Sequence, residues 1–78
     1  DLLFHVQEHQ LNLEVIREFI RKNGLAFLGF DIGPSVTRAY RLRFPDDPAA
    51  TNLENWQIFE RENPDTFVGM YQFWLQKQ

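Results

Sequence analysis

The sequence has 78 residues, a net charge of −3 and no cysteine, so it can form one domain without disulfides or thiolate metal sites. Its hydrophobic fraction of 44%, with 15% aromatic residues, is too high for a disordered segment and sufficient for a small core. The negative charge argues against a nucleic-acid surface, and no apolar run is long enough to cross a membrane.

The chain opens on Asp1 rather than on Met or a basic region. From this first residue we expect that there is no signal peptide and that the chain is a fragment of a longer protein. The cytoplasm is then the default expected location. Residues 1–10 are too short a run for periodicity to decide between a helix end and an extended arm. Nothing in the sequence obviously holds an arm, so we expect it to cross to a second copy.

The first helix is predicted at 13–23. Asn12 is a good N-cap, and Gly24 can adopt the left-handed conformation of a C-terminal cap. The apolar stripe of this helix consists of Leu13, Ile16 and Ile20, widened by Phe19.

Two strands are predicted at 25–32 and 70–76, and we expect them to pair antiparallel. In the second strand Tyr71, Phe73 and Leu75 alternate with polar residues and Trp74, which is the period of a strand. The first strand is apolar on both faces except at Asp31. We expect Asp31 to cap the following helix; the alternative is the solvent end of the strand.

Two further helices, at 34–44 and 52–63, form an insertion between the strands. Pro34 suits a first-turn position, and Thr51 with Glu54 forms a capping box before the last helix. The sequence therefore predicts a single small α+β domain. Ten residues on apolar stripes are expected to form its core: Ile16, Ile20, Phe27, Leu28, Phe30, Tyr40, Trp56, Phe59, Phe73 and Leu75.

The string from His5 to His9 matches the His-x-x-Glu-His pattern of inverted zinc metallopeptidases. On a helix, His5 and His9 would share a face and hold zinc, with Glu8 as general base. A catalytic zinc also needs a third protein ligand and a cleft. Because the string lies beside the chain start, a structural role is favoured and no metal site is predicted.

Two other groups of residues allow a functional or a structural interpretation. Arg38, Arg41 and Arg43 could contact a phosphate, but a solvated helix face is favoured because two aspartates follow. Trp56 and Trp74 could stack on a ligand, but their spacing is typical of core residues.

Several stretches together resemble the C-terminal part of bacterial class I S-adenosylmethionine-dependent methyltransferases, in particular those that occur with tetratricopeptide repeats. These stretches are Asp1–His9, Gly24–Phe30, Tyr40–Asp47 and Asn63–Trp74. The resemblance implies that 25–32 and 70–76 are the sixth and seventh strands of a doubly wound sheet.

The resemblance also implies that His5, Glu8 and His9 lie near the acceptor pocket. The glycine-rich loop and acidic ribose contact of the cofactor half are missing from this sequence, so the chain should neither bind the cofactor nor catalyse. S-adenosylmethionine is implied for a longer parent, whose remaining chain would be the partner. The alternatives are an independent interaction or oligomerisation module and, least favoured, a small zinc peptidase. Because both strands leave open edges, the isolated chain is expected to form a homo-oligomer.

Overall fold

The fold is given by a computed structural model that describes residues 3–9, 12–67 and 70–77. Its strands are β1 (Leu3–Glu8), β2 (Leu25–Phe30) and β3 (Tyr71–Lys77); its helices are α1 (Leu13–Lys22), α2 (Pro34–Arg43) and α3 (Leu53–Glu62). This confirms the predicted α+β class. In the described ranges no helix has the length and apolarity needed to cross a membrane.

The sheet has three strands in the order β1-β3-β2, and both pairings are antiparallel. The last strand of the chain is therefore the central one. The described part of the N-terminal arm is β1, which pairs with β3 without interruption from Leu3 opposite Gln76 to Glu8 opposite Tyr71. The expectation that nothing in the chain holds the arm was wrong, because its pairing partner lies at the other end of the sequence.

The sheet has an inner face covered by helices and an outer face of different character. On β3, Tyr71, Phe73 and Leu75 are buried on the inner face, whereas Trp74 points to the outer face and is 41% exposed. The inner residues join the buried stripes of the helices in one core. Its members are Leu13, Ile16, Ile20, Tyr40, Ala50, Leu53, Trp56, Phe59, Phe67, Tyr71, Phe73 and Leu75.

Most of the predicted core is confirmed, and one residue of it is wrong. Phe27 and Phe30 are half-buried and pack against the core, but Leu28 is exposed. The pairing of β2 with β3 shifts between Phe27 and Gly29, and Gly29 has φ 136°. This bulge leaves Leu28 as the extra residue and turns it out of the core.

The helix ends agree with the prediction at α1 and at the start of α2, where Pro34 lies in the first turn, but the cap of α3 differs from it. Asn12 caps α1 by accepting a hydrogen bond from the N–H of Val15 (2.9 Å), and Gly24 adopts φ 61° after its end. The Thr51 capping box is wrong, because Asn52 caps α3 and accepts from the N–H of Asn55 (3.1 Å).

Candidate functional site

The chemically richest cluster on the outer face joins all three strands. His5 projects from β1, Trp74 lies opposite it on β3, and Asp31 follows the end of β2. The imidazole ring of His5 lies 4.7 Å from the Trp74 ring, centroid to centroid, at an interplanar angle of 44°. Its Nε2 atom is 3.4 Å from Oδ2 of Asp31, so the histidine links the two outer strands across the central one.

The backbone positions Asp31 for this contact. Its N–H donates a hydrogen bond of 2.8 Å to the carbonyl of Gln72, which extends the pairing of β2 with β3 by one residue. The expected helix cap at Asp31 is wrong, since α2 starts after Gly33 and has no side-chain cap. The alternative, a position at the solvent end of the strand, is the one observed.

The three predicted acceptor-side residues are not brought together. His5 and Glu8 are three positions apart on β1, so their side chains point to opposite faces of the sheet. Glu8 pairs with Tyr71 toward the core face, and His9 is exposed just after the strand. The geometry that would place His5 and His9 on one helix face is therefore contradicted. Residues 3–9, 12–67 and 70–77 contain no group of three potential metal ligands.

The chemistry of the outer cluster is that of an open surface. An imidazole with a carboxylate beside it can accept or donate a proton, and an indole ring can stack on an aromatic or cationic group. The side chains of His5 and Asp31 are 25% and 59% exposed, so their contact contributes at most about 1 kcal/mol. A small-molecule site normally encloses its ligand, whereas this cluster suits contact with another surface.

The two tryptophans have opposite environments, which gives a direct test of the outer face. Trp56 is 1% exposed and its Nε1–H donates to the carbonyl of Ala50 (2.9 Å), so its predicted core position is confirmed. The predicted core position of Trp74 is wrong, because Trp74 is 41% exposed.

We expect the Trp74→Phe variant to retain blue-shifted fluorescence that iodide hardly quenches. The matched Trp56→Phe variant should show red-shifted, strongly quenched emission. Equal quenching of both variants would contradict the exposed outer face.

A second polar cluster, centred on Asp47, was missed by sequence reasoning. Asp47 Oδ2 accepts a hydrogen bond from the hydroxyl of fully buried Tyr40 (2.5 Å) and from the N–H of Asn52 (2.9 Å), and Oδ1 accepts from the N–H of Thr51 (3.4 Å). Burial opposes ionisation of Asp47, but these hydrogen bonds outweigh it and hold its pKa below the usual value. Burial, with the contact to Asp47, raises the pKa of Tyr40.

This Asp47 cluster is structural. It closes the loop between α2 and α3 by satisfying the backbone donors just before α3. The only sequence signal was an aspartate before a proline in a loop, which indicates a turn and does not reveal a buried partner.

The arginines of α2 are used mainly within the chain. Arg43 donates two hydrogen bonds of 3.0 Å to the Glu62 carboxylate, and its guanidinium lies 4.5 Å from the centre of the Phe44 ring. Arg41 donates to the carbonyl of Pro48 (2.9 Å). These contacts support the structural interpretation of the arginine patch.

The fold and the exposed cluster define a small α+β domain whose sheet has helices packed on one face. Comparisons of the chain with family models, with curated proteins and with solved structures found no match. The resemblance to methyltransferases therefore stays a prediction.

Proposed function

We propose that this chain forms the C-terminal, acceptor-side part of a bacterial class I S-adenosylmethionine-dependent methyltransferase and does not catalyse by itself. The observation that supports this most is the antiparallel pairing of β2 with β3. The resemblance implies that these strands are the sixth and seventh of the enzyme's sheet, which ends in an antiparallel pair. β1 and β2 run parallel to each other, are connected through α1, and have β3 between them.

The free edge of β1 is where such a sheet would continue. In the proposed enzyme the next strand pairs with this edge, and the rest of the chain is the partner of the domain. The carboxyl ends of β1 and β2, where open α/β sheets bind ligands, carry Glu8 with His9 and Asp31 respectively. These residues would form part of the acceptor-side wall of a cytoplasmic enzyme.

The described residues do not fit S-adenosylmethionine. A cofactor of this kind is held at a glycine-rich turn between a strand and a helix, where backbone N–H groups point at the ligand. Here the turn between β2 and α2 has one glycine, Gly33, and the helix begins with Pro34, which has no N–H to donate. The cofactor contacts would have to come from residues beyond the β1 edge.

A second candidate is an independent interaction module. It is favoured by the open outer face, on which Trp74 is exposed. The zinc peptidase hypothesis requires a helix that carries His5, Glu8 and His9. It is disfavoured because Leu3–Glu8 is a strand, on which His5 and Glu8 lie on opposite faces.

Calorimetric titration with S-adenosylmethionine separates the two candidates. The complete open reading frame that encodes these residues is expected to give a protein that binds the cofactor with micromolar affinity, while residues 1–78 give no binding heat. A glycine-loop variant of the long protein provides the control and should not bind. The proposal is wrong if the long protein does not bind the cofactor, or if the gene encodes no strand followed by a Gly-x-Gly loop upstream of Asp1.

A further inference from the structure

The two outer strands of the sheet differ in how well they can accept another strand. β1 pairs regularly with β3 over all six residues, so its other edge is straight and regular. β2 contains the bulge at Leu28, and bulges disturb an edge and discourage pairing. Neither outer strand contains lysine, arginine or proline, the residues that commonly protect an edge, so the bulge is what distinguishes them.

The inner side of β1 is open as well. A groove of about 300 Å³ lies between β1 and α1. Phe4 is 41% exposed and Phe19 is 52% exposed, although Val6 of β1 packs against the core and three residues of α1 belong to it. The apolar side chains that line this β1 groove are Phe4, Val6, Phe19, Leu25 and Leu75. An unpaired edge and an apolar groove therefore lie side by side.

We propose that the β1 edge and the β1 groove bind a second copy of this chain through antiparallel pairing of β1 with β1. The two-fold axis runs perpendicular to the sheet at His5, so that His5 faces its own copy, Phe4 faces Val6, and Leu3 faces Gln7. The two three-stranded sheets become one six-stranded sheet, and the two β1 grooves lie next to each other. This inference concerns the 78-residue chain by itself, in which no strand within residues 3–9, 12–67 and 70–77 pairs with the outer edge of β1. In the proposed enzyme the next strand of the sheet would occupy that edge instead.

Faces, charges and the number of paired residues select this register, since an axis at Phe4 would pair only Leu3, Phe4 and His5 of β1. Paired residues of neighbouring strands lie on the same face, so a two-fold axis must pass through a residue rather than between two residues. An axis at His5 pairs apolar Phe4 with apolar Val6 twice on the inner face. An axis at Val6 would instead place the carboxylate of Glu8 opposite Phe4. Glu8 is the only acidic or basic residue of β1 besides His5, and the proposed register puts it at the end of the pairing.

The surface is tested by sedimentation velocity at tens of micromolar. The parent chain is expected to sediment with twice its monomer mass. Phe19→Lys places a charge in the β1 groove and should raise the dissociation constant at least ~tenfold, since charge is excluded from interface cores. Leu42→Lys is the matched control, because Leu42 is 79% exposed on α2 outside the groove. It should remain dimeric, and both variants should keep the parent circular dichroism spectrum.

The register is tested with single cysteines, which is straightforward because the chain has none. His5→Cys should form a disulfide-linked dimer on mild oxidation, since directly opposite residues have Cβ atoms about 5 Å apart. Gln7→Cys lies on the same face but about 13 Å from its own copy in this register, and it should stay unlinked.

A monomeric parent chain, a dimer that Phe19→Lys leaves intact, or cross-linking at Gln7 in place of His5 would each overturn the inference. None of these outcomes depends on cofactor binding by a longer protein. Failure of the dimer and failure of the proposed function can therefore be told apart.

Discussion

Replacing Phe73 by alanine is expected to lower the free energy of unfolding by about 3–5 kcal/mol, the usual cost of removing a buried phenylalanine. Phe73 is 2% exposed on the central strand, and its ring lies within about 6 Å of the rings of Phe27 and Phe30. Small domains have only about 5–15 kcal/mol of stability. The melting temperature followed by circular dichroism should fall by at least ~12 °C.

Its neighbour Trp74 provides the control for this variant. Trp74→Ala removes a larger side chain from the next position of the same strand, but from the exposed outer face. We expect this change to cost no more than about 1 kcal/mol. Equal destabilisation by the two substitutions would mean that the faces of β3 are assigned incorrectly.

Replacing Asp47 by alanine is the second large effect expected, at about 2–4 kcal/mol. The substitution leaves the buried hydroxyl of Tyr40 without its acceptor and removes the acceptor of two backbone N–H groups before α3. Losing charged hydrogen bonds and leaving a buried donor unsatisfied are each costly. Chemical denaturation at neutral pH measures the loss. Asp46→Ala is the matched control, since Asp46 is exposed, and it should change stability by less than about 0.5 kcal/mol.

The Asp47 contribution should also depend on pH. Its pKa is lower in the folded chain than in the unfolded chain. The stabilisation is therefore fully present above the unfolded pKa of about 4, and it is lost as the pH falls through the folded pKa. The stability difference between the parent and Asp47→Ala should shrink below about pH 4. A difference that stays constant down to pH 2 would mean that the carboxylate is not the stabilising group.

Local patterns along the sequence were sufficient to predict the three helices and the strands β2 and β3. The cap at Asn12 and the left-handed Gly24 depend on hydrogen bonds and backbone freedom within one helical turn. The alternation of Tyr71, Phe73 and Leu75 identifies the buried face of β3 because side chains in a strand alternate with period two. These signals are contained in neighbouring residues, so they can be recognised before the fold is known.

The sequence could not predict β1, because six residues with mixed polarity form a strand only when a partner is available. That partner, β3, lies at the opposite end of the chain. The exposed position of Trp74 and the approach of His5 to Asp31 follow from the same pairing, as they need three strands side by side. The sequence by itself determined the α+β class and the buried stripes. The strand order and the outer cluster were decided by contacts between distant residues, whose pairing has no signature in local periodicity.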